Sequence, residues 1–305
     1  MRLLFLRHLL FGFLLFFSFA LSAQTLSRPD GSLIHYTLKD NQSNTLAIFV
    51  HGGDCHSYSD DDFINHLSSR FLPTADKLFV DKYGTKTASE TAHLDKTQGC
   101  SEAYIKKSTP QQRIDDYLQV IASLNLYDDY EHVIIIGHCE GVMIAEKLTT
   151  QLPNISATFL INGGSRYFRQ DLIVKLQHRL TANDYRHALA QLTLIDSAVK
   201  TEKTALPDPI MGHNLAWWRE RLNYDRFTTL NAITSPVFIA QTLSDRDVDV
   251  SNALNLISVL RKSKNNMVFI TYDGLDHAFK SSNKMFKTEQ LIEDMTYWLD
   301  ETLDD

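Results

Sequence analysis

A run of β-branched residues, Val133-Ile134-Ile135-Ile136, stops at Gly137-His138-Cys139-Glu140-Gly141 and passes at once into a helical pattern. Ile144, Ala145, Leu148 and Leu152 share one face of that helix. A short buried strand that turns sharply into an amphipathic helix is the repeating unit of an α/β sheet, so this stretch restricts the fold class more than any other.

The rest of the chain keeps the same alternation. Residues 24 to 50 predict a β-hairpin around Asp30-Gly31 and then a buried strand in Thr45–Val50. Phe63, Ile64, Leu67 and Phe71 are spaced for a helix, and Lys77–Asp81 reads as the next strand. Thr109 is placed to N-cap a helix with Pro110 at its first position, and Gln112 is placed to complete a capping box. Ile114, Tyr117, Leu118, Ile121 and Leu124 form the apolar face of that helix. Further strands are expected in 157–163, 236–241 and 267–271, with helices near 252–261 and 288–303. The expected class is α/β, a mainly parallel sheet flanked by helices. Residues 165 to about 230 interrupt the alternation with polar, largely helical sequence. They read either as a cap inserted over the sheet or as ordinary packed helices.

Arg2 and Arg7 precede an apolar stretch from Leu9 to Leu21, followed by Ser22-Ala23. This predicts a secretory signal peptide over residues 1–23 and a folded domain over 24–305. An uncleaved anchor is the alternative, because Leu21 is large for the −3 position. The 30 basic and 37 acidic residues give a net charge of −7. Loss of Arg2 and Arg7 with the signal makes it more negative still, which disfavours nucleic acid and anionic membranes as partners. No later segment is apolar enough to anchor the protein once the signal is cut. Secreted or periplasmic location follows, and there an odd third cysteine stands out among Cys55, Cys100 and Cys139. Cys55 and Cys100 both fall in loops after strands at the same end of the sheet, so they are the expected disulfide. The rival pair, Cys55 with Cys139, would silence the thiol.

Ligands of open parallel sheets sit beyond the carboxyl ends of the strands. Four such ends carry reactive groups: His51-Gly52-Gly53-Asp54, the turn at Cys139, the acidic stretch 245–249, and Asp276-His277. Cys139 projects beside a helix N-terminus, where a thiolate is favoured. The N–H of Glu140 can meet a developing oxyanion, with a second donor from Gly53 or Asp54. His277 can take the thiol proton and return it to a leaving group, and Asp245 can orient the imidazole. Asp247 and Asp249 compete for that last role. Trp217 and Trp218 either line an apolar substrate pocket or pack the helical segment. No compact metal-ligand spacing occurs, so neither metal nor cofactor is expected.

These residues resemble the α/β-hydrolase superfamily over nearly all of 24–305. Gly137-His138-Cys139-Glu140-Gly141 is similar to the GHSEG elbow of its bacterial esterase and peptidase-like branches, with cysteine in place of serine. A cysteine nucleophile is known in its dienelactone hydrolase branch. The resemblance implies Cys139 as nucleophile, Asp245 as acid and His277 as base, in the superfamily's chain order. It implies an α/β-hydrolase fold with a helical cap, an oxyanion loop at residues 51–53, and a structural role for Phe79–Gly84. The implied reaction is hydrolysis of a small-molecule ester or related acyl compound without a cofactor. A non-catalytic binding protein on the same fold, with Cys139 a remnant, and a peptidase-like amide hydrolase are the alternatives.

Overall fold

The computed structural model describes residues 24–85, 100–201 and 209–304. Its sheet contains β1 (Gln24–Ser27), β2 (Leu33–Lys39), β3 (Thr45–Val50), β4 (Asp76–Val80), β5 (His132–His138), β6 (Ile155–Ile161), β7 (Val237–Thr242) and β8 (Met267–Tyr272). The spatial order is β1-β2-β4-β3-β5-β6-β7-β8. The expected hairpin pairs β1 with β2, and β2 runs antiparallel to β4. From β4 through β8 every pairing is parallel. The signal-peptide segment 1–23 lies outside the described residues.

The parallel strands are apolar on both sides because helices cover both faces. Along β5, Val133 and Ile135 enter one core while Ile134 and Ile136 enter the other, the period-2 alternation of a strand. The first core is closed by α3 (Pro110–Ser123) and α5 (Gly141–Gln151), and the second by α1 (Asp62–Ser68) and the C-terminal helix Glu289–Asp304. The short α2 (Glu102–Lys107) and the four-residue α4 (Leu126–Asp129) flank α3.

Thr109 caps α3 as expected, accepting from Gln112 N at 3.1 Å. The reciprocal arm of the capping box does not form. The Gln112 amide instead donates to Asp116, which also takes two hydrogen bonds from buried Arg28 in the β1–β2 hairpin. A carboxylate one turn further along α3, itself held by the distant Arg28, has outcompeted the N-cap backbone.

Between β6 and β7 lie α6 (Phe168–Arg179), α7 (Ala182–Lys200), α8 (Leu215–Asn223) and α9 (Arg226–Ala232). Leu172, Leu192, Ile195, Trp217 and Trp218 from the first three form a core separate from the two sheet cores. Leu230 of α9 and the following Ile233 pack instead in the sheet core shared with α5. The last crossover helix is α10 (Val250–Leu260), so the C-terminal helix is α11. Among the described residues, no helix is long and apolar enough to cross a membrane.

Candidate active site

β3, β5, β7 and β8 end on one side of the sheet, and their following loops build the site. At the end of β5 the chain reverses so tightly that a Cβ on Gly137 would lie 2.7 Å from Gly141 O, and the turn packs so closely on the end of β3 that one on Gly141 would lie 2.1 Å from Val50 O. Cys139 itself adopts φ +58°, a left-handed conformation unfavourable for a residue with a side chain. The turn thereby presents a partly buried free thiol at the N-terminus of α5.

The other two implied residues meet. His277 Nδ1 lies 2.7 Å from Asp245 Oδ2. Asp245 also accepts from Asp247 N at 2.8 Å and from Gln241 Nε2 at 3.3 Å, so its carboxylate is fully engaged. Asp247 turns outward to Lys175 and Arg179 of α6, and Asp249 caps α10. The three competing carboxylates are therefore distinguished by their partners.

The remaining imidazole nitrogen, Nε2, is buried without a hydrogen bond of good geometry, and the ring is electrostatically linked to Cys139. Burial pushes the thiol pKa up, but His277 and then Lys175 pull it down, and the net direction is downward. Burial likewise opposes the imidazolium, yet Cys139 and Asp245 raise His277 well above the usual histidine value. Each group favours the charged form of the other.

Asn162, which was not recognised in sequence, and His138, whose place on the elbow reads as that of a packed or hydrogen-bonded core residue, hold the His277 backbone. Asn162, directly after β6, donates to His277 O at 2.8 Å and accepts from Thr242 N at 2.8 Å, joining the ends of β6 and β7 to the histidine loop. His138 Nε2 lies 3.0 Å from the same carbonyl. Burial pushes the His138 pKa down to about 4, so it is a neutral donor at neutral pH. A buried asparagine at a strand end followed by Gly163-Gly164 was the available signal for Asn162.

Glu140 faces the opposite way from the thiol. Its carboxylate meets Arg113 at 3.1 Å and Arg221 of α8 at 4.0 Å. Burial raises its pKa, but Arg221, Arg113, His213 and Lys82 outweigh that and keep it ionised. Arg113 occupies the inward face of α3, one turn before Tyr117, and this break in an apolar stripe was legible in principle.

The loop at Gly53 and Asp54 lies against the elbow. A Cβ on Gly52 would be 3.5 Å from Cys139 Cβ, and one on Gly53 would be 2.8 Å from Glu140 Oε2. Asp81 of the Phe79–Gly84 stretch anchors the far end of this loop through Tyr58 N and Ser57 Oγ. Cys55 and Cys100 form the disulfide, which ties the loop to the segment before α2. Trp217 and Trp218 are both buried. Trp217 stacks on His213 at 3.6 Å, and Trp218 donates its indole N–H to Ile210 O. They pack the α6–α8 core. Among the described residues, no group of three or more His, Cys, Asp or Glu side chains is arranged to hold a metal.

Residues 183–305 match the prolyl oligopeptidase family, a span that contains Asp245 and His277 but begins after Cys139. No curated protein matches the chain in sequence. An esterase from Pyrococcus furiosus is 14% identical with a TM-score of 0.61, covering 93% of this chain and 90% of its own. The ferulic acid-bound esterase Est1E from Butyrivibrio proteoclasticus is 16% identical with a TM-score of 0.62, covering 93% and 100%. A proline iminopeptidase from Mycobacterium smegmatis is 13% identical with a TM-score of 0.56, covering 92% and 98%. The chain has the α/β-hydrolase fold.

Proposed function

We propose that this protein is a hydrolase that cleaves an ester or related acyl bond of a small molecule through Cys139, His277 and Asp245. The observation that carries this reading is the 2.7 Å His277–Asp245 hydrogen bond beside a thiol whose pKa the same imidazole lowers. The Cys139 thiolate attacks the carbonyl carbon, and the charge moves to its oxygen, facing the N–H of Glu140 and of the Gly53-Asp54 loop. Collapse expels the alcohol, which takes its proton from the His277 imidazolium. His277 then accepts a proton from water, and the hydroxide cleaves the thioester to release a carboxylic acid and the thiol. Esters are favoured over amides, because an alkoxide leaves such an intermediate more readily than an amine when the nucleophile is a thiolate. A thiol at the elbow is also the feature shared with dienelactone hydrolase-like enzymes.

The α6–α8 segment is the proposed cap. Lys175 of α6 reaches Asp247, and Arg221 of α8 reaches Glu140, so these helices lie over the strand ends. Secretion or a periplasmic location is supported by the Cys55–Cys100 disulfide, which suits an oxidising compartment. The prolyl oligopeptidase match over 183–305 favours a second reading, a peptidase-like amide hydrolase using the same residues.

The test is iodoacetamide labelling without reductant, followed by turnover on a panel of activated esters and aminoacyl amides. Single labelling at Cys139, with its pH midpoint below that of a free thiol, is expected. His277→Ala leaves only the weaker pull of Lys175 against burial and moves that midpoint upward. Cys139→Ala is expected to lower ester turnover by about 10⁴-fold or more. An inert Cys139 and no turnover would instead mean a binding protein on a hydrolase fold.

A further inference from the structure

Three successive carbonyls of the loop after β3 are each held by a buried side chain from a different part of the chain. His51 O accepts from Arg113 Nη2 at 2.8 Å, Gly52 O from Lys82 Nζ at 2.7 Å, and Gly53 O from the Tyr104 hydroxyl at 3.0 Å. Lys82 comes from the stretch after β4, Tyr104 from α2 and Arg113 from α3. None of the three cationic or phenolic side chains is exposed to any extent that would let water compete.

A trans peptide points its C=O and the next residue's N–H in opposite directions, and the described chain contains no cis peptide. Each pinned carbonyl therefore fixes the N–H that follows it. Arg113 orients the N–H of Gly52, Lys82 that of Gly53, and Tyr104 that of Asp54. The first is spent within the protein, because Gly52 N lies 3.4 Å from Asp61 Oδ2. The N–H groups of Gly53 and Asp54 have no acceptor among the described residues. They belong to the loop that lies against Cys139 and Glu140. Burying the Lys82 ammonium is costly, and its carboxylate partner Asp54 is a half-exposed group at 3.1 Å that offsets little of that cost. An ammonium on a carbonyl is, however, a strong way to hold a peptide plane.

We propose that Lys82 and Tyr104 are positioning residues that preorganise the two oxyanion donors of this loop, Lys82 for Gly53 N–H and Tyr104 for Asp54 N–H. Neither touches the reacting atoms. This inference rests on the acyl-transfer reading above. It adds that donors already aimed at the oxyanion need no reorganisation during the reaction, which is where such groups gain their effect.

Two reactions of the same thiol separate this role from a structural one. Alkylation by iodoacetamide is displacement at a saturated carbon and needs no oxyanion donors. Acylation by p-nitrophenyl acetate passes through an oxyanion. Both rates would be measured on wild type, Tyr104→Phe, Lys82→Met and Lys82→Arg, with folding checked by thermal unfolding. Tyr104→Phe, which removes one oxygen, is expected to slow acylation roughly tenfold, with KM little changed and alkylation within about twofold of wild type. Lys82→Met is expected to slow acylation by about a hundredfold, and Lys82→Arg to recover part of it. If Lys82→Met does not fold, Tyr104→Phe carries the test. Equal losses in both reactions, or no loss of acylation, would overturn the positioning role alone. A wild type that alkylates but never acylates would overturn the acyl-transfer reading and this inference with it.

Discussion

Cys139 and Glu140 are adjacent acids on one tight turn, and the turn sends them to opposite surroundings. Cys139 meets an imidazole, a partner that can gain or lose a proton near neutral pH. Glu140 meets Arg113 and Arg221, guanidiniums that keep their charge, while Lys82 acts on it only electrostatically. On the first face a proton can move between groups. On the second, charge is held still, and the same cations reach on to the carbonyls of the neighbouring loop. The comparison also resolves a conflict in the primary structure. A carboxylate next to a thiolate should oppose it, yet Glu140 raises the thiol less than His277 and Lys175 lower it. One elbow thus separates a reactive face from a rigid one.

The largest expected effect lies on the reactive face. Asp245→Asn should lower ester turnover by ~10⁴-fold, since the amide favours the wrong imidazole tautomer. Asp247→Asn, which only loosens outward pairs with Lys175 and Arg179, should change turnover by no more than about threefold. Steady-state kinetics on the two variants checks the contrast, and equal losses would mean that the acid has been misassigned.

The next effect lies on the rigid face. Glu140→Gln leaves buried Arg113 and Arg221 without their counter-charge and should destabilise the fold by about 3–5 kcal/mol in urea unfolding. The pH dependence has a defined sign. The folded-state pKa of Glu140 is depressed, so its stabilisation is present above the ordinary glutamate pKa and fades as pH falls through the lower, folded value. The variant should therefore lose that part of the acid-side slope.

A smaller effect is expected at the disulfide, which closes a loop across a separation of 45 residues and ties the proposed oxyanion loop to the approach to α2. Replacing Cys55 and Cys100 by serine together should cost about 2–4 kcal/mol in unfolding experiments. Alkylation of Cys139 should stay near the wild-type rate, because its partners His277 and Asp245 are not tied by that bond. A large fall in alkylation would mean that the two faces are not separable.

Much of this arrangement was legible in the chain. The strands from β3 onward were marked by short apolar runs, and the hairpin by Asp30-Gly31. The approach of Cys139, His277 and one of three aspartates followed from their positions just past strand ends, with Asp245 singled out only by the resemblance. Other features were not legible, for identifiable reasons. Asp245, Asp247 and Asp249 have similar local sequence, and only the approach of His277, of α6 and of the first turn of α10 assigns each a partner. Gln112 is placed for a capping box, but its amide goes to Asp116 one turn on, whose carboxylate is held in place by Arg28 from 88 positions away. Asn162 and His138 gave no hint that both would hold one carbonyl of the histidine loop. Trp217 and Trp218 could equally have lined a pocket or filled a core, and the packing of three helices decided it.

The division has a physical basis. Strand alternation, helix periodicity and the crowding at Gly137 depend on atoms within a few residues, so the sequence by itself determined the elements, their order and the reactive residue types. Hydrogen bonds to buried carbonyls and the pairing of buried charges join groups tens of residues apart, and their strength depends on the exclusion of water that only packing provides. Tertiary structure therefore decided which aspartate serves His277, which cations neutralise Glu140, and which side chains hold the loop beside Cys139.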